Sequence, residues 1–590
     1  MRRGREVSAV GWFAARQRRH GGGGFVVVAA LCAALAGCTA APPPPLVAPP
    51  VARTSIPPSP DTSQVVVGVD GITGGYNPHE LADQSSVTTA LSTLLLPSVF
   101  RNAADGTPQL DTTLMVSAQV TAARPFTVTY QLRTDASWSD GTPIDAADFA
   151  YLRNQMSTQP GVLNPAGYRL ISGITARDNA KTITVTFTKA YPAWRTLFND
   201  LLPAHLLKDA PGGFANGLNT SFPATAGPFD IKTVDAAGGE IVLERSDRYW
   251  GTPSVLDQIV LRKSDNRSMV DGLRSSADQV VYSRVDSTGA HAFAELGSTI
   301  TRATVPRPEI AAVLLRPGSA QLADQTVRVA VAAAVNRSAL ITTGTAGGPS
   351  AHLVANALVT APSQSGYRAT IPAKAPGRTP DPARVPALLA QAGYVQSGST
   401  WTRDGRDLNV VIAAPAGEQP FVAIATQLRA QLVGAGIPAT LETPQPGQLY
   451  EQLLGGRQTG STATANGTNA PIDILVGPQP AGGDPATELA SWFGCASAPA
   501  AGGPTPPAGP FGWCDQAIQP AIDSALTGET PSVTALADAE SALWAQAVEI
   551  PLFQLSDELA VGQQVDGVAA GPPMAGPFFG AATWSRVTER

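Results

Sequence analysis

Histidine, cysteine and charge are all sparse in this sequence, and each shortage removes a class of function. The chain holds five histidines in 590 residues. Of these, His79, His205, His291 and His352 lie beyond the N-terminal leader described below, and none belongs to an HExxH or similar metal-binding pair. A GxSxG nucleophile elbow and a GxxxxGK(S/T) phosphate loop are both absent. His205 follows Pro203 and reads as a turn anchor rather than a proton-transfer group. Carboxylates are numerous, so an acid pair of the glycosidase type stays open, but the sequence singles none out. No catalytic residue, metal or cofactor is therefore expected. Charged residues make up 15% of the chain, and no basic tract occurs after residue 37. That argues against nucleic acid as a partner and against a polybasic hold on anionic lipid.

Long apolar runs are missing too. The run Phe25 to Ala36 is about a dozen residues, too short to cross roughly 30 Å of hydrocarbon. It follows Arg2, Arg3, Arg5, Arg16, Arg18 and Arg19 and leads into Leu35-Ala36-Gly37-Cys38. The order basic, apolar, small, cysteine is an export signal of the bacterial lipoprotein type. Small side chains at 36 and 37 admit a peptidase, and the Cys38 thiol is left for acylation. A secretory signal with an incidental cysteine is the alternative. Loss of residues 1–37 leaves 590 − 37 = 553 residues with a charge balance of 34 − 45 = −11. Attachment to the outer face of the plasma membrane then rests on acyl chains, at about 0.8 kcal/mol per buried methylene.

Four cysteines are present. Cys32 leaves with the leader and Cys38 is the lipid site, so Cys495 and Cys514 are expected to pair in an exported chain. The segment between them is rich in Pro, Gly and Ala, and closing such a loop is worth about 3 kcal/mol in the chain-entropy model. Two buried free thiols are the alternative, since the spacing carries no zinc or redox pattern.

Residues 38–63 form a Pro-rich tether that cannot build a core. The body starts at Gln64. Residues 65–69 read as a buried strand, 86–99 carry apolar residues at helical spacing, and 126–132 and 183–187 alternate as half-buried strands. Asp145 is placed to cap a helix over 146–156. The second half alternates: helix 325–340, strand 408–412, helix 420–433, strand 437–442, helix 446–455, strand 472–476, helix 534–549 and strand 550–555. That order predicts an α/β fold with a parallel or mixed sheet wrapped by helices.

Several segments carry a family resemblance. Trp138-Ser139-Asp140-Gly141-Thr142-Pro143 with Asp148-Phe149 resembles the W-x-D-G-x-P…D-F signature of solute-binding proteins of family 5, the oligopeptide/nickel class. Thr225 to Phe229, Tyr249-Trp250, Asp324 to Arg337, Asp381-Pro382 with Ala392-Gly393-Tyr394, and Ile550 to Phe553 follow in that family's order. The resemblance implies a two-lobed periplasmic-binding-protein-like fold with a central cleft and an additional subdomain in the first lobe. The expected division is 64–305 for the first lobe, with a subdomain near 77–189, then 306–550 for the second lobe. Residues 551–590 return to the first. Gly75 to His79, Asn164 to Tyr168, Tyr191 to Arg195 and the Pro-rich insertion before Cys514 resemble a branch of the family that binds a mannosylated phosphatidylinositol glycolipid. That branch steers lipomannan and lipoarabinomannan synthesis.

The implied partners are a glycolipid or a peptide-like solute, the membrane through the acyl chains, and an ABC permease or an enzyme of a mannosyltransferase pathway. A monomer is expected. Tyr76, Asn77, Tyr168, Trp250, Gln479 and Trp492 are the candidate cleft residues, because a ring or amide near an element end can stack on sugar or bond its hydroxyls. Rings of this kind sit in a core more often than in a site, and Tyr76-Asn77-Pro78 reads equally as a turn closing the first strand. Peptide-binding members place an Asp just before the turn that precedes a helix, where it pairs with the peptide amine. The comparable position here falls near Ala481, unless a one-residue shift of register brings Asp484 into that role.

Overall fold

The computed structural model describes residues 63–72, 75–398, 400–455, 472–496, 508–509 and 512–587. Cys38, with its expected lipid anchor, and the tether up to residue 62 lie outside the described residues. From Thr62 onward the chain forms one compact unit.

A mixed sheet runs through that unit. Its strand order, among the described residues, is Ala439–Glu442, Val410–Ala413, Ile474–Pro480, Ile300–Leu315, Glu549–Gly562, Val280–Ser283, Gln64–Val69, Gln258–Lys263, Glu240–Arg245 and Phe229–Asp235. The first strand pairs in parallel with both its neighbours. Val410–Ala413 does the same at the other end. The two longest strands, Ile300–Leu315 and Glu549–Gly562, pair antiparallel through the middle and carry the sheet from one half to the other. A separate antiparallel sheet, ordered Met115–Ala123, Phe126–Leu132, Thr182–Phe187 and Ile171–Arg177, forms the subdomain.

Local chemistry sets the element ends. Asp145 caps the helix Ala146–Thr158 in a reciprocal capping box with Asp148. Pro97 stops the predicted 86–99 helix early, at Ser86–Leu95. The predicted helix 325–340 is two helices, Gln325–Ala334 and Arg337–Thr345. Asn336 divides them, because its side chain accepts from Ala339 N–H and starts a new helix.

The signature segment has a structural role. Asp148 is buried and accepts from Trp138 Nε1 at 3.3 Å, Asp145 N at 3.1 Å and Ala204 N at 3.0 Å. It ties the 138–143 turn to the helix start and to the chain at 204. His205 Nε2 lies 2.7 Å from Asp140 Oδ2, so this histidine fastens the same turn from outside. One core collects the subdomain, the first strands and the helices after residue 485. A second, with Val327, Val331, Phe421, Leu428, Val410, Ile474 and Phe553, fills the other half. The tail follows Gly562 and sets its turn Pro577–Thr583 near Val255, whose N–H donates to Ala582 O.

Candidate functional site

The two crossover strands create the site. Pro306 and Pro308 lack an N–H for a ladder, and pairing with Glu549–Gly562 breaks between Pro306 and Ile310. Other groups hold the freed backbone. Gln554 Nε2 donates to Arg307 O at 2.8 Å. Ala481 N donates to Pro308 O at 2.9 Å.

Two adjoining cavities flank this break, of about 50 Å³ and about 20 Å³, and both are lined by Pro308, Glu309 and Met574. The larger is lined further by Leu81, Gln84, Leu163, Asn164, Tyr450, Pro478, Pro480, Ala481 and Glu488. The smaller takes Ser85, Ser86 and Thr89 at the start of the Ser86–Leu95 helix, with Tyr282 and Arg307. A volume of about 50 Å³ holds a few waters or the edge of one sugar ring. A whole ligand enters only if the walls part, which is the motion expected of two lobes around a hinge.

The charges at the break are paired. Arg307 makes a forked ion pair with Asp557, with Nε donating to Oδ2 at 2.8 Å, and approaches Asp70 at 3.5 Å. Burial pulls the Arg307 guanidinium down, but Asp557, Asp70 and Glu309 outweigh it and hold it well above its ordinary value. Beyond this pair the acids lack such compensation. Burial raises Glu309, with Arg307 opposing. Glu418 is pushed up to about 7 by burial and then by Glu309. Glu488 is raised well above the ordinary range by burial, with Asp484 adding to it. Tyr450 is raised by burial and by Glu418 and Glu309. The wall therefore offers acids shifted toward their neutral forms, amides and apolar surface. Among the described residues no group of three or more His, Cys, Asp or Glu is placed to hold a metal ion. No described helix is long and apolar enough to cross a membrane.

The six residues proposed from sequence do not gather at these cavities. Tyr76 is buried beside Phe222, at 6.4 Å between ring centroids. Asn77 organises a turn: its Nδ2 donates to Phe214 O at 2.8 Å and its Oδ1 accepts from His79 N at 3.0 Å. Tyr168 lies in the subdomain core, its hydroxyl accepting from Phe198 N at 2.8 Å. Trp250 is half-buried and donates to Thr113 O at 2.6 Å. Trp492 is buried in the first core. Gln479 comes nearest. It lies between the lining residues Pro478 and Pro480, but strand alternation turns it to the opposite face, where Nε2 donates to Leu358 O at 2.7 Å.

Ala481 does line the larger cavity. Asp484 instead caps the helix Pro485–Phe493, its Oδ2 accepting from Thr487 N at 2.9 Å and from Thr487 Oγ1 at 2.7 Å. The sequence reading missed the lining residues Glu309, Tyr450 and Glu488. A signal was present in the Pro-x-Pro spacings at 306–308 and 478–480, because prolines inside strand-like runs mark bulges and ladder breaks. Cys495 and Cys514 are joined as a disulfide, with Cα atoms 4.9 Å apart.

Two α/β lobes joined by crossover strands, with a lined cavity where they meet, define a solute-binding protein of the periplasmic type. Residues 115–498 match the bacterial extracellular solute-binding proteins, family 5, and the chain belongs to that family. It is 35% identical to the probable monoacyl phosphatidylinositol tetramannoside-binding protein LpqW of Mycobacterium tuberculosis, over 91% of this chain and 93% of that protein. It is 28% identical to the oligopeptide-binding protein OppA of Mycobacterium bovis, over 56% of each. In fold it is similar to the oligopeptide-binding protein AppA of Bacillus subtilis, solved in complex with a nonapeptide. The TM-score is 0.70 at 15% identity, covering 89% of this chain and 100% of that one.

Proposed function

We propose that this protein is a non-catalytic, membrane-anchored receptor for a mannosylated phosphatidylinositol, and that it regulates lipomannan and lipoarabinomannan synthesis in the cell envelope. The observation that carries this reading is Ala481. If Asp484-Pro485 marks the family's turn, the position where peptide-binding members hold the amine with an Asp falls near Ala481, whose methyl group lines the cavity, while Asp484 is engaged as a helix cap. An ammonium placed there would lack that Asp and would have to ionise Glu309 or Glu488, which burial disfavours. Sugar hydroxyls need only neutral donors and acceptors, which the wall supplies. The identity to LpqW over nearly the whole chain supports the same ligand.

In this reading Cys38 carries the acyl chains, and the tether holds the body within reach of lipids in the outer leaflet. The lobes divide as 64–305 and 306–550, with 551–590 returning to the first, and closure buries the head group. The protein acts as a monomer beside an enzyme of the mannosyltransferase pathway. A second reading, the substrate receptor of an ABC importer for oligopeptides, is favoured by the similarity to OppA. Native mass spectrometry of the body from Gln64 onward, offered mannosylated phosphoinositides together with a peptide pool, separates the two. Retention of the mannosides is expected; selective retention of peptides would overturn the glycolipid reading.

A further inference from the structure

We infer that Glu488 and Asn164 together form a hydroxyl-selecting subsite in the larger cavity, each giving or taking a hydrogen bond with a neutral hydroxyl of the ligand. The inference rests on the glycolipid reading and deepens it. Both residues line the same cavity: Asn164 from the segment before the helix at 166, and Glu488 from the helix Pro485–Phe493, which packs on that helix with Ala166 N donating to Ser491 Oγ at 3.3 Å. Each brings a buried oxygen without a hydrogen-bond partner, Asn164 Oδ1 and Glu488 Oε2. Glu488 is 1% exposed. A buried, unpaired polar atom costs about 1–3 kcal/mol; both oxygens are closed off while the walls are together, and a ligand that parts the walls can supply the missing bonds.

The surroundings decide which kind of ligand. Glu488 Oε1 accepts from Gly483 N at 2.7 Å. The charged group that faces Glu488 is Asp484, an anion; Glu309 and Tyr450 share the cavity wall, and both are shifted toward their protonated forms. Arg307, the nearest described cation on the crossover strand, is committed to Asp557. Burial and Asp484 shift Glu488 toward the neutral acid, against the Gly483 and Gly482 amides that favour the carboxylate; in its neutral form it has one O–H to give. The Asn164 amide can both donate and accept. A donor acid and such an amide match the hydroxyls of a polyol. A fixed ammonium would instead demand that Glu488 ionise beside Asp484.

Titration calorimetry tests this on the full chain in detergent, with a soluble deacylated phosphatidylinositol mannoside as the probe. The proteins are wild type, Glu488→Gln, Glu488→Leu and Asn164→Ala. Gln keeps the shape, the acceptor for Gly483 N and a donor, so Glu488→Gln is expected to bind within about 3-fold of wild type. Glu488→Leu and Asn164→Ala are expected to lose 10-fold or more. Thermal melting confirms that each variant is folded; because Glu488→Gln is nearly isosteric, its result stands even if Glu488→Leu fails to fold. Wild-type affinity is expected to be flat or to weaken as pH rises from 5 to 8. A 10-fold loss in Glu488→Gln, with wild-type binding that strengthens as pH rises, would show that a charged carboxylate does the work and overturns the inference alone. Wild-type affinity in Asn164→Ala and Glu488→Leu also overturns it. If wild type does not bind the mannoside at all, the glycolipid reading fails, and this inference fails with it.

Discussion

Replacing Arg307 with Met would leave Asp557 as a buried anion without its partner. Asp557 is 0% exposed, and its forked pair with Arg307 joins the two crossover strands at the ladder break. Breaking a buried pair from one side costs about 3–5 kcal/mol. The structure sets a ceiling on that figure. A stranded Asp557 can take up a proton instead of remaining charged, and the cost is about 1.36 kcal/mol for each pH unit above the ordinary carboxyl value. With that value at 3.8, the escape costs about 4 kcal/mol at pH 7 and about 2 kcal/mol at pH 5. The sign follows from proton counts. In the variant the native state holds one proton that the unfolded state releases, so its stability falls as pH rises. Arg307→Met is therefore expected to lose about 4 kcal/mol at pH 7 in urea unfolding followed by tryptophan fluorescence, and about half of that at pH 5. The double variant Arg307→Met/Asp557→Leu should recover most of the loss, because no charge is stranded. A penalty below about 1 kcal/mol, or one that does not shrink toward pH 5, would refute the reasoning.

Other outcomes follow from the same structure. Glu80 is pushed up to about 8, Glu418 to about 7, and Asp83 and Asp148 to about 6, all chiefly by burial. The native state thus holds protons that the unfolded chain gives up from about pH 4. These four groups make stability decline as pH rises from about 4 to about 8, most steeply up to about 6, by about 1.4 kcal/mol per unit for each proton held; a melting temperature rising between pH 5 and 8 would contradict this. Asp148→Ala strands the donors of Trp138, Asp145 and Ala204 and should cost about 3 kcal/mol or more, read as a fall in the urea midpoint. Reduction of the bond between Cys495 and Cys514, which are 19 residues apart, should cost about 3 kcal/mol and make the protein melt earlier; an unchanged melt on reduction would contradict it.

Elements with a clear local signal were legible in the sequence. Asp145 announced the helix Ala146–Thr158, and the alternation of Phe126 to Leu132 announced its strand. The strand Ile300–Leu315 was missed, although it joins the two halves, because Pro306 and Pro308 interrupt it and its first half shows no apolar alternation. The prediction of the site failed to converge for a different reason. Aromatic residues were favoured as cleft lining, yet burying a ring stabilises a core strongly, and Tyr168 and Trp492 went there. The acids at the cavity carry no local mark. Glu309 and Glu488 are ordinary surface-type residues until strands and helices from distant parts of the chain enclose them. Ala481, singled out from a family pattern, does line the cavity.

Photo-crosslinking places the ligand most directly. A mannosylated phosphatidylinositol with a photoreactive group on its head, bound to the protein, irradiated and mapped by peptide mass spectrometry, should mark segments 81–84, 163–164 and 478–488, which line the larger cavity. Labelling confined to segments away from the crossover strands, or labelling that excess tetrapeptide abolishes and excess mannoside does not, would contradict the account.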